Sequence, residues 1–445
     1  MIINDGRGDT VKEKQVLKNA KWIIVCKVVQ SILQFIVGML CARYLGPSNY
    51  GLINYAASIV AFAMPLMKLG LDAILVYELV NFPDKEGEIM GTSLTLNILS
   101  GMLCVMGVTA VATVMNFGEI ETILVCVLYS LSILFAAIEM IQYWFQYKLQ
   151  SKYSSVTMLI SYVVVSAYKV FLLATQKSVY WFAVSHAIEF GVIGIILSAI
   201  YVKKSGQRFR FSLDRAKSML SRSKHYILAA IMIVVIQNTD HIMLTIMQGK
   251  SENGFYSAAI TCASIFQFVY VALVDSFRPM ILSKKKENSS EYQNNISRLY
   301  GLTLYTAIAQ CIVFFVLAKF IIQILYGSDY ADAVPVLRAL IFYFVFSVMG
   351  LVRNVWILAE ENQKYLWVIN LSGALLNIVL NAIMIPFWGA VGAAVASLIT
   401  QFFANFVLGF IIKPLRENNK LMLNGLNPRY ICREIKVIAK ELIGR

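Results

Sequence analysis

GPSNYGLINYAASIVAFAMPLMKLGLD (residues 46–72) and GKSENGFYSAAITCASIFQFVYVALVD (residues 249–275) share one plan, 203 residues apart. Gly46 falls on Gly249, Ser48 on Ser251, Gly51 on Gly254, Ala56 on Ala259 and Asp72 on Asp275. Each copy is a tight, glycine-bounded turn followed by an apolar run. A bilayer-spanning helix needs about 20 such residues. In each copy an aspartate lies deep in that run, 21 residues after the second glycine. Two matched halves are a common plan of transporters. Because both copies enter the membrane in the same direction, an axis along the membrane normal is expected to relate them, with the site between the halves.

The rest of the chain extends this pattern. Of 445 residues, 59% are apolar and 14% charged, against roughly 25% charged in soluble domains. That composition excludes an ordinary soluble globule. Apolar stretches of membrane length occur at 22–42, 52–77, 90–115, 120–145, 156–175 and 179–202. Six more follow at 226–247, 255–282, 300–326, 334–359, 365–385 and 390–412. The expected fold is an all-α integral membrane protein with twelve transmembrane helices in two six-helix bundles. The bundles are residues 22–202 and 226–412, flanked by an N-terminal segment (1–21), a basic linker (203–225) and a basic tail (413–445).

A net charge of +14, from 39 Lys and Arg against 25 Asp and Glu, would suggest nucleic acid in a soluble protein. Its distribution gives another reading. Alternate connections and the two ends hold 29 of the 39 bases; the opposite connections hold only Arg43, Lys177 and Lys250. Basic loops stay in the cytoplasm, so both termini are expected there, in a multi-pass protein of the bacterial cytoplasmic membrane with no nucleic-acid partner. In the tail, Ile431, Ile435, Ile438 and Leu442 recur at helical spacing among Arg433, Lys436 and Lys440. That pattern suits either a helix on the anionic inner leaflet or a solvated basic tail.

Nothing in the sequence points to catalysis. The seven cysteines are scattered without a CxxC pair, the three histidines form no HExxH, and neither a phosphate-binding loop nor a GxSxG turn occurs. No catalytic residue, metal site or cofactor is expected.

The informative residues are charges inside spans. An ionised side chain at mid-bilayer costs at least about 2.5 to 3.5 kcal/mol and therefore faces a partner or water. Lys27, Gln30 and Gln34 form one stripe on the first span. Lys68 with Asp72, and Arg278 with Asp275, have spacings that allow pairing within a helix. Lys169 and Arg353 have no acidic neighbour at helical spacing, and Asn238 stands beside Asp240 and His241. Lys27, Gln30, Gln34, Lys68, Lys169, Asn238, Arg278 and Arg353 are the candidate cargo ligands, since a cationic site suits a phosphate or diphosphate. Asp72, Glu139, Asp240 and Asp275 are candidates for H⁺ or Na⁺ coupling or for structural pairs. The row Gly389, Ala393 and Ser397 reads as close helix packing.

ARYLGPSNYGLINYAASIVAFAMPLMKLGLDAILVYEL (42–79), DHIMLTIMQGKSENGFYSAA (240–259), LYGSDYADAVPVLR (325–338) and LNIVLNAIMIPFWGAVGAAVASLIT (376–400) resemble the polysaccharide-biosynthesis flippases. These belong to the MATE-like superfamily of multidrug, oligosaccharidyl-lipid and polysaccharide exporters. The resemblance implies two six-helix bundles around a central cavity that opens alternately to either side. It implies as cargo an undecaprenyl-diphosphate-linked oligosaccharide for O-antigen, capsule or exopolysaccharide, with a polysaccharide polymerase or other pathway membrane proteins as partners. The alternatives are a cation-coupled multidrug exporter and a membrane-embedded glycan polymerase. The embedded charges, seven basic and five acidic, lean away from the drug exporter, whose cavity is usually acidic.

Overall fold

In the computed structural model the described residues, 6–287 and 289–428, form helices and short turns and no strand. Helices α1 (Gly6–Lys68), α2 (Leu71–Asn81), α3 (Glu86–Met115), α4 (Ile120–Ala136), α5 (Ile141–Tyr147), α6 (Ser151–Ala174) and α7 (Val179–Lys204) lead to an irregular segment at 205–212. Then come α8 (Leu213–Gln248), α9 (Lys250–Ala263), α10 (Gln267–Glu287), α11 (Ser289–Tyr326) and α12 (Ala333–Leu340). The series closes with α13 (Tyr343–Ala359), α14 (Lys364–Phe402), α15 (Leu408–Ile411) and α16 (Arg416–Gly425).

Ten helical stretches among the described residues are long and apolar enough to cross a membrane, so the chain is a multi-pass membrane protein. The expectation of twelve separate spans differs from this at two places. Cys26–Asn81 runs for 56 residues and Lys364–Ile411 for 48, each well over one crossing. Each contains a glycine with non-helical backbone: Gly46 at φ 69, ψ 172 and Gly389 at φ 52, ψ −131. Glycine takes such left-handed values without a Cβ penalty. The turns are tight enough for helical bonding to continue up to the glycine on both sides.

The chain forms two compact units: Met1–Leu45 with Leu52–Asn238, and Gly46–Gly51 with Thr239–Arg445. The division falls within α8, between Asn238 and Thr239. In the first unit, Leu71, Leu75 and Leu79 of α2 pack with Ile89 and Met90 of α3, Trp144 and Phe145 of α5, and Leu197 and Tyr201 of α7. In the second, Leu299, Tyr300 and Leu304 of α11 pack with Val352 and Trp356 of α13 and Met422 of α16. Lipid tails are as apolar as these side chains, so their close van der Waals fit holds the helices together.

The segment expected to be a linker is docked on the first unit. Arg210 N donates to Gly87 O (3.0 Å), Gly87 N to Gln207 Oε1 (2.8 Å) and Ser212 N to Thr92 Oγ1 (3.1 Å). A Cβ on Gly91 would stand 2.6 Å from the Arg210 backbone, so the close approach requires glycine. Glu78, 0% exposed, holds the start of α8 through Arg222 Nη1 at 2.8 Å and Arg215 Nη1 at 3.3 Å.

The first part of the expected tail is also packed. Tyr300 OH donates to Asn418 Oδ1 (2.8 Å), Asn419 Nδ2 donates to Phe406 O (2.8 Å), and Leu421 and Met422 are buried. The amphipathic pattern at 431–442 lies outside the described residues. Six cysteines among the described residues, Cys26, Cys41, Cys104, Cys126, Cys262 and Cys311, form no disulfide and are mostly buried.

Candidate functional site

The second unit gathers one buried carboxylate and its donors from three helices. Asp240 of α8 is 3% exposed. Its Oδ1 accepts from Asn381 Nδ2 (2.5 Å) and Asn377 Nδ2 (3.1 Å), and its Oδ2 from Tyr256 OH and Ser397 Oγ (2.5 Å each). Asn377 and Asn381 lie one turn apart on α14 before Gly389, and Ser397 lies on the same helix after it. The left-handed glycine therefore turns α14 so that two of its segments address the same carboxylate. Asn381 Nδ2 also donates to Asn377 Oδ1 (3.1 Å), while Asn381 Oδ1 is buried without a hydrogen-bond partner among the described residues.

The cluster sets one buried carboxylate among neutral polar groups. Among the described residues no lysine or arginine pairs with Asp240. The carboxylate is instead held by neutral donors, and burying an unneutralised charge is costly. The available donors are carboxylate, amide and hydroxyl oxygens, a set that suits a small hard cation. An orphaned amide oxygen at the same place fits that role. No cluster of three or more His, Cys, Asp or Glu side chains occurs among the described residues.

His241 continues the network. Its Nδ1 lies 2.7 Å from Asn253 Oδ1, its ring meets Tyr256 edge-on at 5.1 Å, and Asn253 Nδ2 donates to Gly51 O (2.8 Å).

The other candidates fall in separate places. Lys27 and Gln34 are exposed and Gln30 is partly buried, all on α1. Lys169 is partly buried on α6 near Cys41. Lys27 and Lys169 have no acidic hydrogen-bond or ion-pair partner among the described residues. Lys68 and Asp72 do not share a helix. α1 ends at Lys68, and Leu69 (φ 52) and Gly70 (φ 65) break the backbone before α2. Asp72 accepts instead from Ala73 N (3.1 Å), while Lys68 lies within electrostatic reach of Glu139. Glu139 accepts from Gln142 Nε2 (3.1 Å).

Arg278 Nη2 lies 3.1 Å from Asp275 Oδ1, with both side chains about half exposed. Asn238 Nδ2 turns back on its own helix to Val234 O (3.2 Å). Arg353, read from the sequence as facing a cavity, is 4% exposed. It donates to Ala404 O (2.9 Å) in a π-helical stretch, Phe403–Val407.

Sequence reasoning missed Ser397 and Tyr256, because a serine in a small-residue row and a tyrosine in an aromatic-rich span carry no distinguishing signal. It also missed Glu78, which the span count assigns to a connection. The pair His186 Nδ1–Glu189 Oε2 (3.3 Å), with the His186 ring against Tyr129 (4.8 Å), is a third polar group in the first unit.

A family model described as polysaccharide biosynthesis protein matches residues 16–284. The capsular polysaccharide biosynthesis protein CapF of Staphylococcus aureus is 21% identical over 402 residues, 87% of this chain and 97% of that protein. Among solved structures, the inward closed conformation of the lipid II flippase MurJ is similar at a TM-score of 0.66 and 18% identity. That likeness covers 91% of this chain and 90% of MurJ. An inward-facing multidrug resistance MATE family transporter of the MOP superfamily is similar at a TM-score of 0.67 and 12% identity, over 87% and 94% of the two chains. With more than half of its length matched, the chain belongs to the polysaccharide biosynthesis protein family.

Proposed function

We propose that the protein is a flippase that carries an undecaprenyl-diphosphate-linked oligosaccharide from the inner to the outer leaflet by alternating access, without a catalytic step. In this reading the ten helical stretches make twelve crossings, with the polypeptide turning back at Gly46 and Gly389 and both ends in the cytoplasm. The family supports the class of pathway, and the likeness to MurJ and to MATE transporters supports a transporter fold.

The observation that carries the reading is Lys27. It is an exposed ammonium in the first membrane span, without an acidic partner among the described residues, on the same stripe as Gln30 and Gln34. Such a charge is costly in lipid unless it meets an anion or water. A diphosphate headgroup supplies the anion, and the amides suit sugar hydroxyls. Asp240 is the coupling group: a Na⁺ or H⁺ neutralises its carboxylate during one part of the cycle.

The test is transport by the full chain in proteoliposomes loaded with a polyprenyl-diphosphate-linked oligosaccharide. Lys27→Gln is expected to slow headgroup translocation at least about tenfold, and wild-type transport is expected to respond to a Na⁺ or pH gradient. Unchanged glycolipid transport in Lys27→Gln overturns the role of Lys27. Wild-type protein that moves drug cations and leaves the glycolipid in place supports the exporter reading instead. Indifference to both gradients overturns the coupling role of Asp240 alone.

A further inference from the structure

We propose that the docked segment 203–217 and the first turns of α8 bind anionic phospholipid headgroups of the leaflet they face. The segment 205–212 joins two helices long and apolar enough to cross a membrane, Val179–Lys204 and Leu213–Gln248, so it lies at the end of one and the start of the other.

Its bases separate into two groups. Arg215 and Arg222 are held by Glu78, and Lys204 donates to Gln150 Oε1 (3.0 Å) with its ammonium over the Tyr153 ring (4.0 Å). Lys203, Arg208, Arg210, Lys217 and Lys224 are exposed, and none has an acidic or hydrogen-bonding side-chain partner among the described residues. These free cations are not on a loose loop. The three hydrogen bonds to Gly87 and Thr92, two of them through the Gln207 and Thr92 side chains, fix the stretch that carries Arg208 and Arg210, so the two guanidinium groups project from anchored backbone.

Aromatic residues alternate with them. Phe209 stacks on Tyr201 with 4.8 Å between centroids and 3° between planes, and remains 43% exposed. Phe211 is 51% exposed, and Leu213 beside it is also exposed. Exposed cations interleaved with exposed aromatic and aliphatic side chains, at the end of membrane helices, match a lipid interface. The rings enter the headgroup and acyl boundary, and the cations meet phosphate. Arginine adds a bidentate fit to a phosphodiester. A merely solvated basic loop needs neither the glycine-dependent anchoring nor the exposed rings.

The experiment is native mass spectrometry of the full-length protein in detergent with equimolar phosphatidylglycerol and phosphatidylethanolamine. Wild type is expected to retain phosphatidylglycerol in preference. The double variant Arg208→Gln, Arg210→Gln should lose at least about tenfold of that retention, on the order of fivefold per cation. Arg208→Lys with Arg210→Lys should keep most of it. Equal retention in wild type and the Gln variant overturns the proposal. So does inorganic diphosphate that binds the wild type and displaces the lipid, which would mark a soluble-anion site. A second measurement needs no variant: hydrogen exchange of amides 207–212 should slow in vesicles containing phosphatidylglycerol relative to phosphatidylethanolamine alone. Identical exchange in the two overturns the proposal.

Discussion

Gly51 and Gly254 meet through reciprocal contacts. A Cβ on Gly51 would strike the Lys250 carbonyl, and a Cβ on Gly254 would strike the Pro47 carbonyl. Pro47 and Lys250 are themselves matched by the 203-residue offset, so the operation that aligns the two sequences also exchanges the two contacts. Residues 46–51 group with the second unit, which makes this a packing of one turn on its own copy inside that unit. Self-complementary contact of this kind is what a local two-fold relation produces.

Gly51→Ala and Gly254→Ala should each destabilise the protein by roughly 1 to 3 kcal/mol, because the added methyl meets rigid backbone. Gly107→Ala is the control: nothing lies within 4 Å of its Cβ position, so a neutral or slightly favourable change is expected. Thermal unfolding of the three variants in detergent checks this. Equal midpoints for all three would show that the turns do not pack closely.

The sequence made some of this legible and concealed the rest for physical reasons. Apolar length and the glycine turns were readable because a bilayer fixes how long a span must be. The Asp240 network was half readable. Asp240, Asn377 and Asn381 are conspicuous polar residues in apolar runs, whereas the Ser397 hydroxyl is small enough to pass as packing. The docked 205–212 segment was invisible because backbone donors and glycine contacts hold it, and neither leaves a residue pattern. The Lys68–Asp72 spacing misled because helical periodicity assumes an unbroken helix, which Leu69 and Gly70 interrupt.

Glu78→Gln should release the start of α8. The buried carboxylate neutralises Arg215 and Arg222, and removing one partner of a buried ion pair typically costs about 3 to 5 kcal/mol, although Arg215 Nε keeps Glu88 Oε1 at 3.5 Å. Arg222 is half exposed, so solvent recovers part of that and a loss of about 3 kcal/mol is expected. Limited proteolysis should then cut within 205–212, where the wild type resists. Protection equal to wild type would mean that the hydrogen bonds to Gly87 and Thr92 suffice alone.

Ser397→Ala should remove one of four donors to Asp240 while leaving the helix contacts in place. A hydrogen bond to a charged group contributes about 1.5 to 3 kcal/mol, so a drop in unfolding midpoint is expected without loss of fold. If a cation occupies the cluster, added Na⁺ should raise the wild-type midpoint by linkage, by about 2.7 kcal/mol at 100 times the dissociation constant. Asp240→Asn should abolish that rise, since an amide carries no charge for the ion to neutralise. A Na⁺-independent wild type with a pH-dependent midpoint would assign the site to a proton.

Lys27 and Arg353, both read from the sequence as cargo-facing cations, should separate on mutation. Arg353 is buried and spends its guanidinium on the Ala404 carbonyl inside the π-helical stretch. That carbonyl lies in a stretch where i→i+5 bonding replaces the ordinary helical ladder. Arg353→Met should lower stability, by roughly 1 to 3 kcal/mol for the lost hydrogen bond from a charged donor, with glycolipid transport per folded molecule nearly unchanged. Lys27 is exposed and makes no such bond. Lys27→Gln should leave the unfolding midpoint within about 0.5 kcal/mol of wild type while transport falls. Parallel measurement of unfolding and proteoliposome transport distinguishes the two roles, and a transport defect in Arg353→Met at wild-type stability would return Arg353 to the cargo pathway.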